Sequence, residues 1–300
     1  MDAKKIVLQA RENGIVIPAF NIPHIPMMEA VVKAVADENS VAMIQVARLE
    51  WEKMSAQSLE AIAEEYGKCG NSAHTLLHLD HVPVIDEDNE LVDYAALLKR
   101  AISVGYQSVM VDGSRLSLEK NIEATAEAVG IAHDAGIPCE AELGAVMGHE
   151  SGPMPPYEEI FASKQGFTSV EEAVAFVKGT NVDWLSVAAG NIHGAVAEAT
   201  RNEKKPEARL DIEHVQALYD AVKIPLVLHG GSGIKVEYIR ESIKSGIAKV
   251  NIGTEVRQAY EIALAENNDS IEAARESVYK RVREIISKEL WISNSKDILS

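Results

Sequence analysis

Three hundred residues, 47% of them hydrophobic and 25% charged, can bury a sizeable core, and this composition is not that of a disordered chain. A formal net charge of −17 excludes the strongly basic surface that nucleic acid or an anionic membrane would need, since both are bound by neutralising phosphate. Only two cysteines, Cys69 and Cys139, and an opening MDAKKIVLQARENG without an apolar signal segment lead us to expect a cytoplasmic protein, and no apolar run is long enough to span a bilayer.

Along the chain, eight short apolar runs alternate with longer amphipathic stretches. The apolar runs are IVIPAF (15–20), VAMIQVA (41–47), TLLHLDH (75–81), SVMVD (108–112), IPCEAEL (137–143), WLSVAA (184–189), PLVLHGG (225–231) and AKVNIG (248–253). Helical apolar spacing occupies residues 27–38, 91–104, 121–135, 169–179, 212–222 and 236–246. Gly105, Gly136 and Gly246 stand where a helix exits through a left-handed residue before the next strand. Strict β/α alternation with eight units predicts a parallel (β/α)8 TIM barrel. The competing doubly wound dinucleotide fold lacks its G-x-G-x-x-G after the first strand. We expect one domain over residues 1–300, with a helical, charge-rich C-terminal extension from about residue 255, of a kind that often packs on a neighbouring subunit. Residues 145–166, rich in Gly and Pro, read as a long active-site loop after the fifth strand.

Function in such a barrel collects at the C-terminal ends of the strands, and the polar exceptions fall there: Asn21, then His78, Asp80 and His81, then Glu140 and Glu142, Asn191 and His193, His229, and Asn251. Histidines on three strand ends can converge as a tris-imidazole metal site with an open position. Taken singly, each is more simply a hydrogen-bonded core imidazole. Period-two alternation puts His78 and Asp80 on one side of the third strand, so His81 must reach the site from just beyond it, and His78 is left as a structural histidine. HGGSG (229–233) and NIGT (251–254) occupy the two loops that bind phosphate in many barrels, where backbone N–H groups meet the anion.

In this order AFN (19–21), HLDH (78–81), DGS (112–114), EAELG (140–144), GNIHG (190–194), PLVLHGGSGI (225–234) and GIAKVNIGTE (246–255) resemble the class II, zinc-dependent ketose-bisphosphate aldolases, a family that includes the fructose-bisphosphate and tagatose-bisphosphate enzymes. The resemblance implies reversible cleavage of a ketose 1,6-bisphosphate to dihydroxyacetone phosphate and an aldehyde, by a homodimer or homotetramer acting on a phosphorylated sugar. It implies Zn2+ or another divalent transition metal, and admits a monovalent cation beside it. His81, His193 and His229 match the metal ligands, with Glu142 a carboxylate near the metal. Asp80 matches the acid/base at the C4 hydroxyl and Glu150 the group that moves the C3 proton. Asn251 matches a residue near the enediolate, and Asn21, Gly194, Gly230, Gly231, Ser232 and Thr254 match substrate and phosphate positions.

The chain also departs from the family. The loop VARLEWEK (46–53) replaces the small residue or serine common after strand two, and we expect Arg48 there to grip a phosphate or carboxylate. Val82 stands where glycine is usual, and Gly253 where one fructose subclass has aspartate. Arg275 is the expected candidate from the C-terminal helices for a distal phosphate. An aldolase for another phosphorylated sugar or sugar acid, a metallohydrolase using zinc-activated water, and a barrel that binds without turnover are the alternatives.

Overall fold

The computed structural model describes residues 1–146, 156–192 and 207–299. Eight parallel strands close in chain order: β1 (Ile17–Asn21), β2 (Ala42–Ala47), β3 (Thr75–Pro83), β4 (Ser108–Asp112), β5 (Cys139–Leu143), β6 (Trp184–Val187), β7 (Leu226–Leu228) and β8 (Ile247–Ile252), with β8 pairing back onto β1 through Ile17–Lys249 and Ala19–Asn251. Nearly every strand residue is buried, as expected where helices cover the outside of an all-parallel sheet and side chains fill the inside.

Helices surround the barrel: α1 (Ala3–Glu12), α2 (Met28–Asp37), α3 (Arg48–Lys53), α4 (Leu59–Cys69), α5 (Tyr94–Ser103), α6 (Leu118–Asp134), α7 (Tyr157–Ser163), α8 (Val170–Thr180), α9 (Ile212–Val222), α10 (Val236–Lys244), α11 (Thr254–Glu266) and α12 (Ile271–Glu284). Side chains cap many of their starts, as when Ser58 accepts from Ala61 N–H and Asp211 from His214 N–H, satisfying amides that have no partner within the helix. The expected exits at Gly105, Gly136 and Gly246 all have positive φ. Helices α1, α3, α4 and α7 were not expected. Helix α3 is too short to display a period, and α7 lies inside the Pro-rich stretch read as loop. Helix α12 packs against α2, so the C-terminal extension covers the outside of the first β/α unit.

One strand departs from regular pleating in a way that matters for the site. The β3–β4 register shifts between Leu79 and Val82, and His81 sits in the left-handed region at φ 36°. His81 therefore lies within β3 rather than beyond its end. The bulge turns its side chain to the same mouth as Asp80, which alternation would forbid.

Candidate active site

The centre of the site is a pair of imidazoles among carboxylates at the C-terminal mouth of the barrel. The rings of His81 and His229 stand 4.5 Å apart between centroids. Each has one nitrogen engaged by an acid: His81 Nδ1 lies 3.1 Å from Asp112 Oδ2, and His229 Nε2 lies 2.9 Å from Glu140 Oε1. On the other side of its ring, His229 Nδ1 is 2.9 Å from Glu142 Oε2. Burial would lower the pKa of His81, but Asp80, the hydrogen bond to Asp112 and the charge of Glu142 push it up to about 10. This neighbourhood favours a positive charge.

Asp80 is held by three amides. Asn21 Nδ2 donates to it at 3.0 Å, Gln45 Nε2 at 3.1 Å and Asn251 Nδ2 at 3.0 Å. Burial alone would raise its pKa, yet His81, Lys249, His229 and His78 together hold it below the ordinary value, so it stands ready as a carboxylate. Beneath this layer Lys249 Nζ, fully buried, pairs with Glu140 at 2.9 Å and donates to Asn251 Oδ1 at 2.8 Å, while Trp184 Nε1 donates to Glu140 at 2.6 Å. Glu140 is thereby compensated on three sides, which a buried charge requires. His78, expected as the structural histidine, has Nδ1 2.8 Å from Ser108 Oγ and Nε2 3.7 Å from Glu140 Oε2.

The two glycine loops also lie at this mouth. Gly230 has φ 65°, and a Cβ on Gly231 would come within 2.6 Å of Val250 Cγ2 and 2.8 Å of the Asn251 carbonyl. Only glycine lets the β7 loop lie this close to β8. Ser232 Oγ accepts from Glu255 N–H at 3.4 Å, linking that loop to the start of α11, where Thr254 is the first residue.

Two expected anion grips are engaged elsewhere. Arg48 starts α3 and pairs with Glu52 at 2.8 Å and Asp86 at 3.2 Å. Arg275, on α12, pairs with Glu29 at 3.2 Å and donates to the Pro26 carbonyl at 2.7 Å, lining a groove with Lys33 and Tyr279 that shares no residue with the histidine pocket. His193, Gly194 and Glu150 lie outside the described residues. Gln45, Asp112, Lys249 and Glu50 were missed as members of the site. Asp112 belongs to the quoted DGS motif, but only the β3–β4 pairing brings it to His81.

The donors fit a divalent transition metal. One potential ligand atom from each of Asp80, His81 and His229 lies within 4.8 Å of the other two, and the same holds for His81, Asp112 and Glu142. Metal–nitrogen bonds of roughly 2.0–2.1 Å would draw the donors of such a cluster together around one ion. Asp112 stands on His81 Nδ1 and Glu140 on His229 Nε2, while His229 Nδ1 faces Glu142, the carboxylate expected beside the metal. Carboxylates behind ligand imidazoles are the usual means of fixing tautomer and ring orientation.

Comparison with known proteins agrees with this geometry. The family model described as "Fructose-bisphosphate aldolase class-II" matches residues 1–297. A fructose-bisphosphate aldolase of Streptococcus pyogenes is 34% identical over 276 residues, covering 91% of this chain and 85% of that protein. One from Helicobacter pylori is 32% identical over 292 residues, covering 88% of this chain and 87% of that protein. Among solved structures, the YdjI aldolase of Escherichia coli K12 superposes with a TM-score of 0.76 at 30% identity, over 98% of both chains. A closed eight-stranded barrel, an imidazole pair backed by carboxylates and a match over almost the whole length together make this chain a member of the class II fructose-bisphosphate aldolase family, whose members are metal-dependent carbon–carbon lyases.

Proposed function

We propose that the protein catalyses reversible aldol cleavage of a ketose 1,6-bisphosphate of the fructose-bisphosphate type to dihydroxyacetone phosphate and an aldehyde. The observation that carries this reading is Asp80: a buried carboxylate held charged by its surroundings, fixed by three amides and one residue from His81. Zinc, or another divalent transition ion, would be held by His81 and His229, with His193 and with Glu142 beside it. Bound there, it would polarise the ketose carbonyl as a Lewis acid.

Asp80 takes the proton from the C4 hydroxyl, the C3–C4 bond breaks, and its electrons pass to the C2 oxygen as the aldehyde departs. Asn251, bonded to both Asp80 and Lys249, is oriented to donate to the developing enediolate, and Glu150 returns a proton to C3. Asn21 supports Asp80 and the substrate. Gly194, Gly230, Gly231, Ser232 and Thr254 bind the phosphate of the triose half through backbone N–H groups and hydroxyls. We take residues 1–300 as one catalytic domain of a cytoplasmic homodimer or homotetramer, with a monovalent cation as an optional companion. No helix among the described residues is long and apolar enough to cross a membrane.

The test is NMR-detected exchange of the C3 proton of dihydroxyacetone phosphate in heavy water, which needs no knowledge of the aldehyde. Exchange that depends on metal, is lost with chelator and falls in Glu150→Ala supports the reading. Folded, metal-loaded protein that shows no exchange would sink it.

A further inference from the structure

Beside the imidazole pair lies a cavity of about 290 Å³ whose lining includes His81, Asp112, Ser114, Arg115 and Glu142. Arg115 is the only lysine or arginine among the described residues of that lining. It is exposed, and no described carboxylate pairs with it, whereas the Arg48 guanidinium is held by Glu52 and Asp86. Its backbone is anchored to the site on both sides. Ser114 N–H donates to Asp112 Oδ1 at 3.0 Å, the same carboxylate that holds His81, and Leu116 N–H donates to the Gly113 carbonyl at 2.9 Å. A Cβ on Gly113 would sit 2.2 Å from Asn121 Oδ1, and Asn121 Nδ2 donates to the Glu142 carbonyl at 3.1 Å. The turn that carries Arg115 is thus tied to Asp112 and, through Gly113 and Asn121, to β5.

Position in the barrel says which half of the substrate this cation meets. In a closed eight-stranded ring β4 lies opposite β8 and β3 opposite β7. The glycine loops that take the triose phosphate follow β7 and β8, and Arg115 follows β4. A substrate anchored at the first, with its reacting carbons at Asp80 and His81, extends toward the second. We propose that Arg115 is the specificity residue for the aldehyde half, pairing with a terminal anion, phosphate or carboxylate, at the far end of the sugar. The inference rests on the aldolase reading above. Glu87 lines the same cavity and opposes that anion, so the two residues act with opposite sign.

The experiment measures aldol addition of dihydroxyacetone phosphate to three aldehydes by the metal-loaded full chain: glyceraldehyde 3-phosphate, the carboxylate-terminated tartronate semialdehyde, and neutral glyceraldehyde. Arg115→Ala is expected to lower kcat/KM for an anionic aldehyde by about 10- to 100-fold, mostly through KM, the loss that goes with one charged hydrogen-bonding partner. The neutral aldehyde is expected to lose less than about threefold, Arg115→Lys to recover part of the difference, and Glu87→Gln to shift preference modestly toward the anion. The anionic aldehyde that suffers more identifies the natural end group. Equal losses on charged and neutral aldehydes, or no loss on either anion, overturn the inference. Proton exchange by the unaltered enzyme keeps the two ideas separate: without exchange the aldolase reading fails, whereas exchange without charge discrimination in the variants rejects only the role of Arg115.

Discussion

Glu50 provides a prediction that can be worked from the structure alone. It sits in the first turn of α3, buried, with Oε2 accepting from Ala47 N–H at 2.8 Å and from Asn21 Nδ2 at 3.3 Å. The same Asn21 amide serves Asp80, so two carboxylates share one donor. Burial, with the nearby charge of Asp80 adding to it against the Ala47 hydrogen bond, pushes Glu50 up to about 8 from an ordinary 4.5. Between those values the folded protein keeps a proton that the unfolded chain has released, so stability falls as pH rises through that window. A gap of 3.5 pH units (8 − 4.5) at about 1.4 kcal/mol each caps the loss near 5 kcal/mol, and we expect about 2–5 kcal/mol. Glu50→Gln mimics the protonated form and removes the titration. Urea unfolding of the wild type and the variant should give similar stability near pH 5, and a variant more stable by about 2–5 kcal/mol near pH 8.5. Curves that stay parallel across the range would show that this carboxyl does not titrate there, and the reasoning from burial would be wrong.

Four further outcomes follow from the site. Asp112→Ala should weaken metal binding by about 10- to 100-fold in chelator competition by freeing the His81 ring; unchanged affinity with an intact fold would remove Asp112 from its supporting role. Because His81 is pushed up to about 10, an incoming metal must displace its proton. Apparent affinity should therefore rise by up to about tenfold per pH unit between roughly pH 6 and 9, with proton release visible by calorimetry in buffers of different ionisation enthalpy; a flat profile refutes this. Lys249→Met leaves Glu140 without its buried cation and should destabilise the fold by about 3–5 kcal/mol in urea unfolding, whereas a loss below about 1 kcal/mol would mean that His229 and Trp184 suffice. Gly231→Ala forces a methyl against Val250 and the Asn251 carbonyl. It should raise KM for dihydroxyacetone phosphate at least about tenfold or cost about 1–3 kcal/mol of stability, and a variant normal in both would show the loop to be slack.

The fold was legible because each strand is a short apolar run between amphipathic stretches, a pattern that only β/α alternation satisfies. Residues 108–112 were located to the residue, and the helix expected at 212–222 runs Ile212–Val222. The strand ends supplied Asp80, His81, Glu142, His229 and Asn251 as a group, since polar residues closing apolar strands are conspicuous. What escaped the sequence depends on pairings across the barrel. Lys249 looks like an ordinary strand residue until Glu140, 109 positions away (249 − 140), is found 2.9 Å from it. Glu50 was hidden in a loop whose arginine drew attention, and that arginine pairs with Glu52 one helical turn on and with Asp86 beyond β3. The approach of His81 was anticipated, but its cause, a bulge inside β3, leaves no trace in composition.

In the proposed mechanism, that bulge binds two chemical roles into one rigid unit. Because Asp80 and His81 share a peptide bond, a breathing motion of the barrel that displaced a bound cation on His81 would carry the proton acceptor along with it. Their separation is set by covalent geometry and one backbone conformation rather than by the fit of neighbouring strands. Under that mechanism, change in substrate range is steered toward the rims of the mouth, where side chains such as Arg48 and Arg115 can vary without altering the spacing between Asp80 and His81.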